Sequence, residues 1–232
     1  MRQKVLLKVA RFMQRKSECA CAAVSSLANY YDSSIKYKDV RKAIDPIYSK
    51  EGMHSFDIGG LLNSLGYKCV TIVSADTTIF DFTWEKHTVK WKAKRLKALR
   101  EYYRRSSSYS SSDANFVTSY INFLETEGCS NSLVIDYDFP KYIKSSLRKG
   151  NPVIASINYT SYFQMPREHN DDWDDIKGIA EEHAFVIRGF DKESIYVVDS
   201  QGRKTDKYNG YYKIKWEHFL VNIGSGDLIL VN

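Results

Sequence analysis

No apolar run in the sequence is long enough to cross a bilayer, and none resembles a secretory leader. The N-terminal stretch MRQKVLLKVARFMQRK sets charges on both sides of a very short apolar run and offers no small-residue cleavage site. A cytoplasmic location without an integral membrane segment is the resulting expectation. Cysteine is also scarce, with only Cys19, Cys21, Cys69 and Cys129. Four cysteines are too few for a dense disulfide framework. The C-x-C spacing of the first pair and the isolation of the other two match no standard zinc pattern. Neither a metal nor another cofactor is therefore expected, and a reactive or simply buried thiol fits better.

What is present suits one sizeable domain. The chain has 232 residues, 43% hydrophobic and 27% charged. Its net charge of +6 favours solubility and anionic partners but says nothing of fold. Seventeen tyrosines are scattered along it, in the manner of residues at core margins or along a cleft.

Partial alternation over residues 4–14 predicts a short strand, followed by the polar turn Arg15-Lys16-Ser17-Glu18. From Cys19 to Tyr31, CACAAVSSLANYY is Ala-rich and free of Pro and Gly, which predicts a closely packed helix opening at Cys19. Further helices are expected over 37–45 and 55–66, the latter stopped by Gly66, and then a strand over 67–74. Residues 85–105 are strongly basic with helical spacing, and 106–112, SSSYSSS, read as a mobile loop or linker. A helix over 113–127 follows, and the jump in charge and complexity marks 80–130 as an insertion on a single domain spanning 1–232. Beyond it the pattern predicts a helix over 139–149, a strand over 153–159 and an acidic polar loop over 160–181. Strands are then expected over 183–190, 194–199, 211–215 and 227–231. Helices first and antiparallel strands later imply an α+β fold with a segregated helical half.

Cys19 stands where a turn becomes a helix. Unpaired amides and the positive end of the helix dipole favour thiolate over thiol there. Nucleophilic chemistry at Cys also needs a base and a group to orient that base. His183 opens one predicted strand and Asp199 closes the next, so a hairpin brings them together although 16 residues separate them. Gln14, just upstream of Cys19, is a candidate oxyanion donor. Taken singly, each has a plainer reading: a small buried Cys, a satisfied His, a turn-forming Asp. The four together, in this order, carry the inference.

ECACAAVSSLANYY resembles the opening of the bacteriocin-processing peptidase family, a papain-fold group that cleaves leader peptides after paired glycines. EEHAFVIRGFDKESIYVVDS is similar to that family's His strand, turn and Asp strand. KYIKSSLRKGNPVIASIN looks like the segment preceding them, and DSQGRKTDKYNGYYKI has the look of the broader papain clan. The likeness covers roughly 4–75 and 139–232. It implies a papain-like α+β fold, Cys19 as nucleophile, His183 as base, Asp199 as orienting group and Gln14 as oxyanion donor. Ala20 departs from the usual Gly, Gln14 lies one residue closer to Cys19 than is typical, and Cys21 is an alternative nucleophile. The implied activity is that of a monomeric, cofactor-free cysteine peptidase acting on a peptide or protein through a thioester. An acyltransferase or amidase on the same scaffold, or an inactive peptide-binding module, are the alternatives.

Within the insertion, Trp91, Leu96, Leu99 and Tyr103 recur at helical spacing among Lys and Arg. This stripe suits a helix facing an anionic membrane surface or nucleic acid, a helix docked on the main domain with a solvated basic face, or a lid over the cleft.

Overall fold

The computed structural model describes residues 4–15, 17–44, 53–169, 172–201, 209–223 and 226–232. In chain order the elements are β1 (Val5–Leu6), α1 (Cys19–Tyr31), α2 (Tyr37–Ile44), α3 (Ser55–Ser64), β2 (Val70–Ser74), α4 (Val89–Arg105), α5 (Ser111–Leu124), β3 (Ser132–Ile135), α6 (Phe139–Arg148), β4 (Val153–Asn158) and α7 (Tyr159–Phe163). After these come β5 (Glu168–His169), β6 (Asp172–Trp173), β7 (Glu182–Phe190), β8 (Ser194–Val198), β9 (Tyr211–Lys215), α8 (Trp216–Asn222) and β10 (Asp227–Val231). The fold is α+β, as the order of patterns along the chain predicts.

Seven strands form one path, β3-β2-β10-β4-β7-β8-β9, and β1 pairs with β7 at its flank. All pairings are antiparallel except β2 with β3. Strands β2, β8 and β10 are buried along their whole length, because helices cover both faces of the sheet. The two-residue period of a strand divides β10 between two cores. Ile229 and Val231 join the core beneath α1 to α5, and Leu228 and Leu230 join the core beneath α6 and α8. Each such aliphatic side chain, fully buried, contributes about 1.5–3 kcal/mol.

Helix α1 is buried from Ala20 through Ala28, and its small side chains let it lie close across β7 and β4. Ser25 satisfies its hydroxyl on the Cys21 carbonyl, 2.7 Å away. The Tyr pair closing the helix anchors it: Tyr30 donates to the Gly150 carbonyl at 2.8 Å, and the Tyr31 ring meets Tyr67.

Several local expectations change. Only Val5–Leu6 of the predicted 4–14 strand is in the sheet. The basic helix begins at Val89, because the Thr88 hydroxyl accepts from the Trp91 amide and caps it. The Ser-rich stretch is short, because Ser110 and Asp113 cap α5 reciprocally and start it at Ser111. Its Tyr109 ring stacks on Tyr103, with centroids 4.1 Å apart. The 160–181 stretch is not simply a loop; it carries most of α7 and the β5–β6 hairpin. Strand β3 and helix α8 were not expected. The 37–45 helix is seen through Ile44, and Asp45 lies outside the described residues, as does 202–208 of the clan-like segment.

The stripe on α4 is used internally. Leu96 and Tyr103 are buried in the same core as α1 and α3, and Trp91 stacks on His87. Lys90, Lys94, Arg95, Lys97, Arg104 and Arg105 form its exposed side. No helix among the described residues is long and apolar enough to cross a membrane.

Candidate active site

Cys19 is the first residue of α1. The preceding Glu18 gives no side-chain cap to that helix. Its carboxylate is buried and turned toward α2, where it accepts from Arg41 Nε at 2.7 Å and from the Tyr37 hydroxyl at 2.5 Å. The uncapped first turn thus directs its amides and positive dipole end at the Cys19 sulfur.

His183 enters beside it from the start of β7, and Asp199 follows the last residue of β8. The His183 Nε2 lies 2.7 Å from Asp199 Oδ1, with the two residues only 4% and 2% exposed. This leaves Nδ1 of the ring for the thiol, whose charged form His183 favours. Tyr212, on β9, donates its hydroxyl to Asp199 Oδ2 at 2.7 Å, and the Gln201 amide donates to Oδ1 at 2.8 Å. The Asp199 backbone is fixed as firmly: its amide donates to the Gly210 carbonyl at 2.9 Å, and Arg11 Nε donates to its carbonyl at 2.7 Å. Gly210 has φ +77°, and a Cβ there would overlap the Arg11 guanidinium and the Asp199 carbonyl.

The electrostatics follow from these contacts. Burial alone would raise the Cys19 thiol, but the His183 hydrogen bond and charge, with the Ala184 and Ala20 amides, outweigh it and hold the thiol below its ordinary value. Burial works against the His183 cation, yet Asp199 and Cys19 push its pKa up to about 10. Asp199 stays below the usual carboxylate range despite burial, through His183, Tyr212 and the Gln201 amide. Cys21 behaves oppositely. It is buried, and burial pushes its thiol up to about 11, a rise to which the Glu18 charge adds. Of the two neighbouring thiols, only Cys19 is shifted toward the thiolate.

Gln14 is brought to Asp199's neighbour. The Ser200 hydroxyl donates to Gln14 Oε1 at 2.7 Å, and the Gln14 backbone N–H donates to the Ser200 carbonyl at 3.2 Å. From Cys19 and His183 a cavity of about 240 Å³ leads inward, walled by α3, α5, β4 and β10. Among the described residues no group of His, Cys, Asp and Glu is gathered so as to hold a metal ion.

A family model described as a Peptidase_C39 like family matches residues 6–222. The chain belongs to that family. No curated protein sequence matches this C39-like chain. Among solved structures, it is similar to a C39-like peptidase from Bacillus anthracis at 15% identity, covering 99% of this chain and 98% of that one, with a TM-score of 0.47. It is also similar to the peptidase domain of Streptococcus ComA, a bi-functional ABC transporter involved in quorum sensing, at 12% identity, with coverage of 99% and 98% and a TM-score of 0.43. Both likenesses are distant.

Sequence reasoning brought Cys19, His183 and Asp199 to one place in this C39-like chain but missed their supports. Tyr212 had a signal: it lies in a strand predicted to follow Asp199, and alternation gives one of Tyr211 and Tyr212 to each face. Arg11, Ser200 and Gly210 meet the site only through tertiary pairing and carried no local signal. The role of α5 as a cavity wall, through Phe116 and Tyr120, was also not legible in a segment read as an insertion.

Proposed function

We propose that the chain is a cysteine peptidase that cleaves a peptide or protein substrate through Cys19, His183 and Asp199. The observation that carries this reading is the thiol at a helix start without a side-chain cap, sharing a cavity wall with an imidazole whose Nε2 is held by a buried carboxylate. In the resting state Cys19 is a thiolate and His183 an imidazolium. The thiolate attacks the scissile carbonyl, and the resulting oxyanion meets the Cys19 backbone amide and the Gln14 side-chain amide. His183 gives its proton to the leaving amine, and the C–N bond breaks to leave a thioester. Water then attacks the thioester, with His183 as base; the acid product leaves and the thiolate returns. Asp199 keeps the imidazole in the tautomer and orientation that both proton transfers need.

Limiting iodoacetamide near pH ~6, where an ordinary thiol is almost wholly protonated, tests the reading. Alkylation of Cys19 alone, slowed in His183→Ala, is the expected result by mass spectrometry. Paired-glycine leader peptides are the first substrates to try, with capture of the thioester by hydroxylamine as the chemical signature. Reaction of Cys19 no faster than that of a free thiol would overturn the reading.

A further inference from the structure

The cavity that opens at Cys19 ends on a charge that the proposed chemistry does not use. Alternation along β10 turns Asp227 and Ile229 to the same side, and both line the cavity with Ile58, Ile154 and Tyr120. Asp227 is 4% exposed. Its Oδ2 accepts from the Tyr120 hydroxyl at 3.2 Å and the Ser55 and Ser74 hydroxyls stand beside the carboxyl, whereas its buried Oδ1 has no hydrogen-bond partner within 3.5 Å among the described residues. Buried carboxylate oxygens are normally satisfied, so an orphan of this kind calls for an explanation. Here it lies on the wall of a cavity continuous with the reactive thiol. The other titratable groups of that wall do not neutralise it: Asp76 repels its charge and itself accepts from Thr78, Glu182 is an exposed acid at the strand start, and the exposed His54 side chain is turned to the Asp57 amide in the cap of α3.

We propose that Asp227 is a specificity-determining residue that receives the cationic side chain, lysine or arginine, of a residue near the scissile bond. The claim rests on the peptidase reading for the substrate's being a peptide. Size and lining both agree with it. About 240 Å³ falls below the roughly 300–1,000 Å³ of sites that hold whole small molecules, and suits a single side chain. Ile58, Ile154 and Ile229 offer apolar walls to a methylene stem, and the carboxylate offers the charged head an acceptor. The Ser55 and Ser74 hydroxyls, together with Tyr120, favour the ionised carboxylate against its burial.

Two reagents test the site without a known substrate. One is a chloroacetamide with a primary ammonium on a four-carbon tail, and the other carries a neutral tail of equal length. At pH ~8, with both the thiolate and Asp227 charged, the cationic reagent is expected to alkylate Cys19 about tenfold faster or more. In Asp227→Asn that ratio falls to near one, while the rate with plain iodoacetamide, which reports Cys19 and an intact fold, is unchanged. Equal rates for the two reagents in the unaltered protein would overturn the proposal and leave the peptidase reading standing. If Cys19 proves unreactive even to iodoacetamide, the peptidase reading falls, and n-butylguanidinium decides the cation site alone. It should raise Tm in the unaltered protein and not in Asp227→Asn; equal shifts, or none, would overturn the proposal.

Discussion

The outer carboxyl, Asp199 behind His183, accepts from His183, Tyr212 and the Gln201 amide; the inner one, Asp227 in the cavity wall, accepts from Tyr120 on Oδ2 and has only the neutral Ser55 and Ser74 hydroxyls beside it. Both carboxyls are almost wholly buried. Asp199 nonetheless ionises more readily than an ordinary carboxyl, whereas burial, with the charge of Asp76, raises Asp227 to about 6. The difference lies in donors and counter-charge, not in depth. His183 satisfies the outer carboxylate, and among the described residues no cation pairs with the inner one.

The largest effect expected from breaking this contrast is at the sulfur. Cys19→Ala should lower kcat for peptide cleavage by about 10⁴-fold or more, the scale on which a nucleophile's loss is felt. Cys21→Ala, which removes a protonated buried thiol, should leave turnover within a few-fold. Next, Asp199→Asn removes the charge that supports the imidazolium, and kcat should fall by about 10²–10⁴-fold. The thiolate's ultraviolet absorbance at neutral pH should fall with it. In the unaltered protein, turnover should rise as pH climbs through the lowered Cys19 pKa. It should fall as pH passes about 10, where His183 loses its proton.

At the inner end the effect appears in stability and has the opposite sense. A carboxyl raised from 3.8 to about 6 on folding costs nothing while both states are protonated, well below pH 3.8. The cost grows as pH rises between those values and is complete above the folded pKa, at about 3 kcal/mol. Asp227→Asn should therefore raise Tm at pH ~8 and leave it nearly unchanged at pH ~3, measured by thermal unfolding. The smallest change is at Tyr212→Phe. Loss of one hydrogen bond to a charged acceptor, about 1.5 kcal/mol, should raise the Asp199 pKa and trim kcat about tenfold. A titration of the thiolate signal would read it.

These two ends also differ in how far they could be read from the sequence. Cys19, His183 and Asp199 were legible because each stands at the boundary of an element, where local pattern is informative, and because chain order brought a hairpin's ends together. Gln14 was legible as a residue type near Cys19, but its tether to Ser200 crosses the whole chain. Asp227 gave no signal at all. It opens a strand whose other residues are apolar, and only the strand's place between β2 and β4 turns its side chain toward a cavity. The same limit applies to the fold. The main helices and long strands follow from composition and period, whereas β3 and α8 are short and draw their stability from neighbours. The basic helix showed its stripe plainly, but not that the stripe would pack inward and leave α5 to wall the cavity.

The position of β10 bears on the time the molecule takes to form. It is the bridge between β2–β3 and β4–β7–β8–β9, and it follows all of them along the chain. Until β10 has left the ribosome, β2 and β4 each present an open edge of unpaired amides and carbonyls, and the two apolar layers lack their shared strand. Pairings between β10 and strands far earlier in sequence carry a high loop-closure cost, which slows folding. A nascent chain of this kind is exposed to sticky mispairing for most of its synthesis. It closes late and in one step, and the inner wall beside Cys19 is completed with that closure.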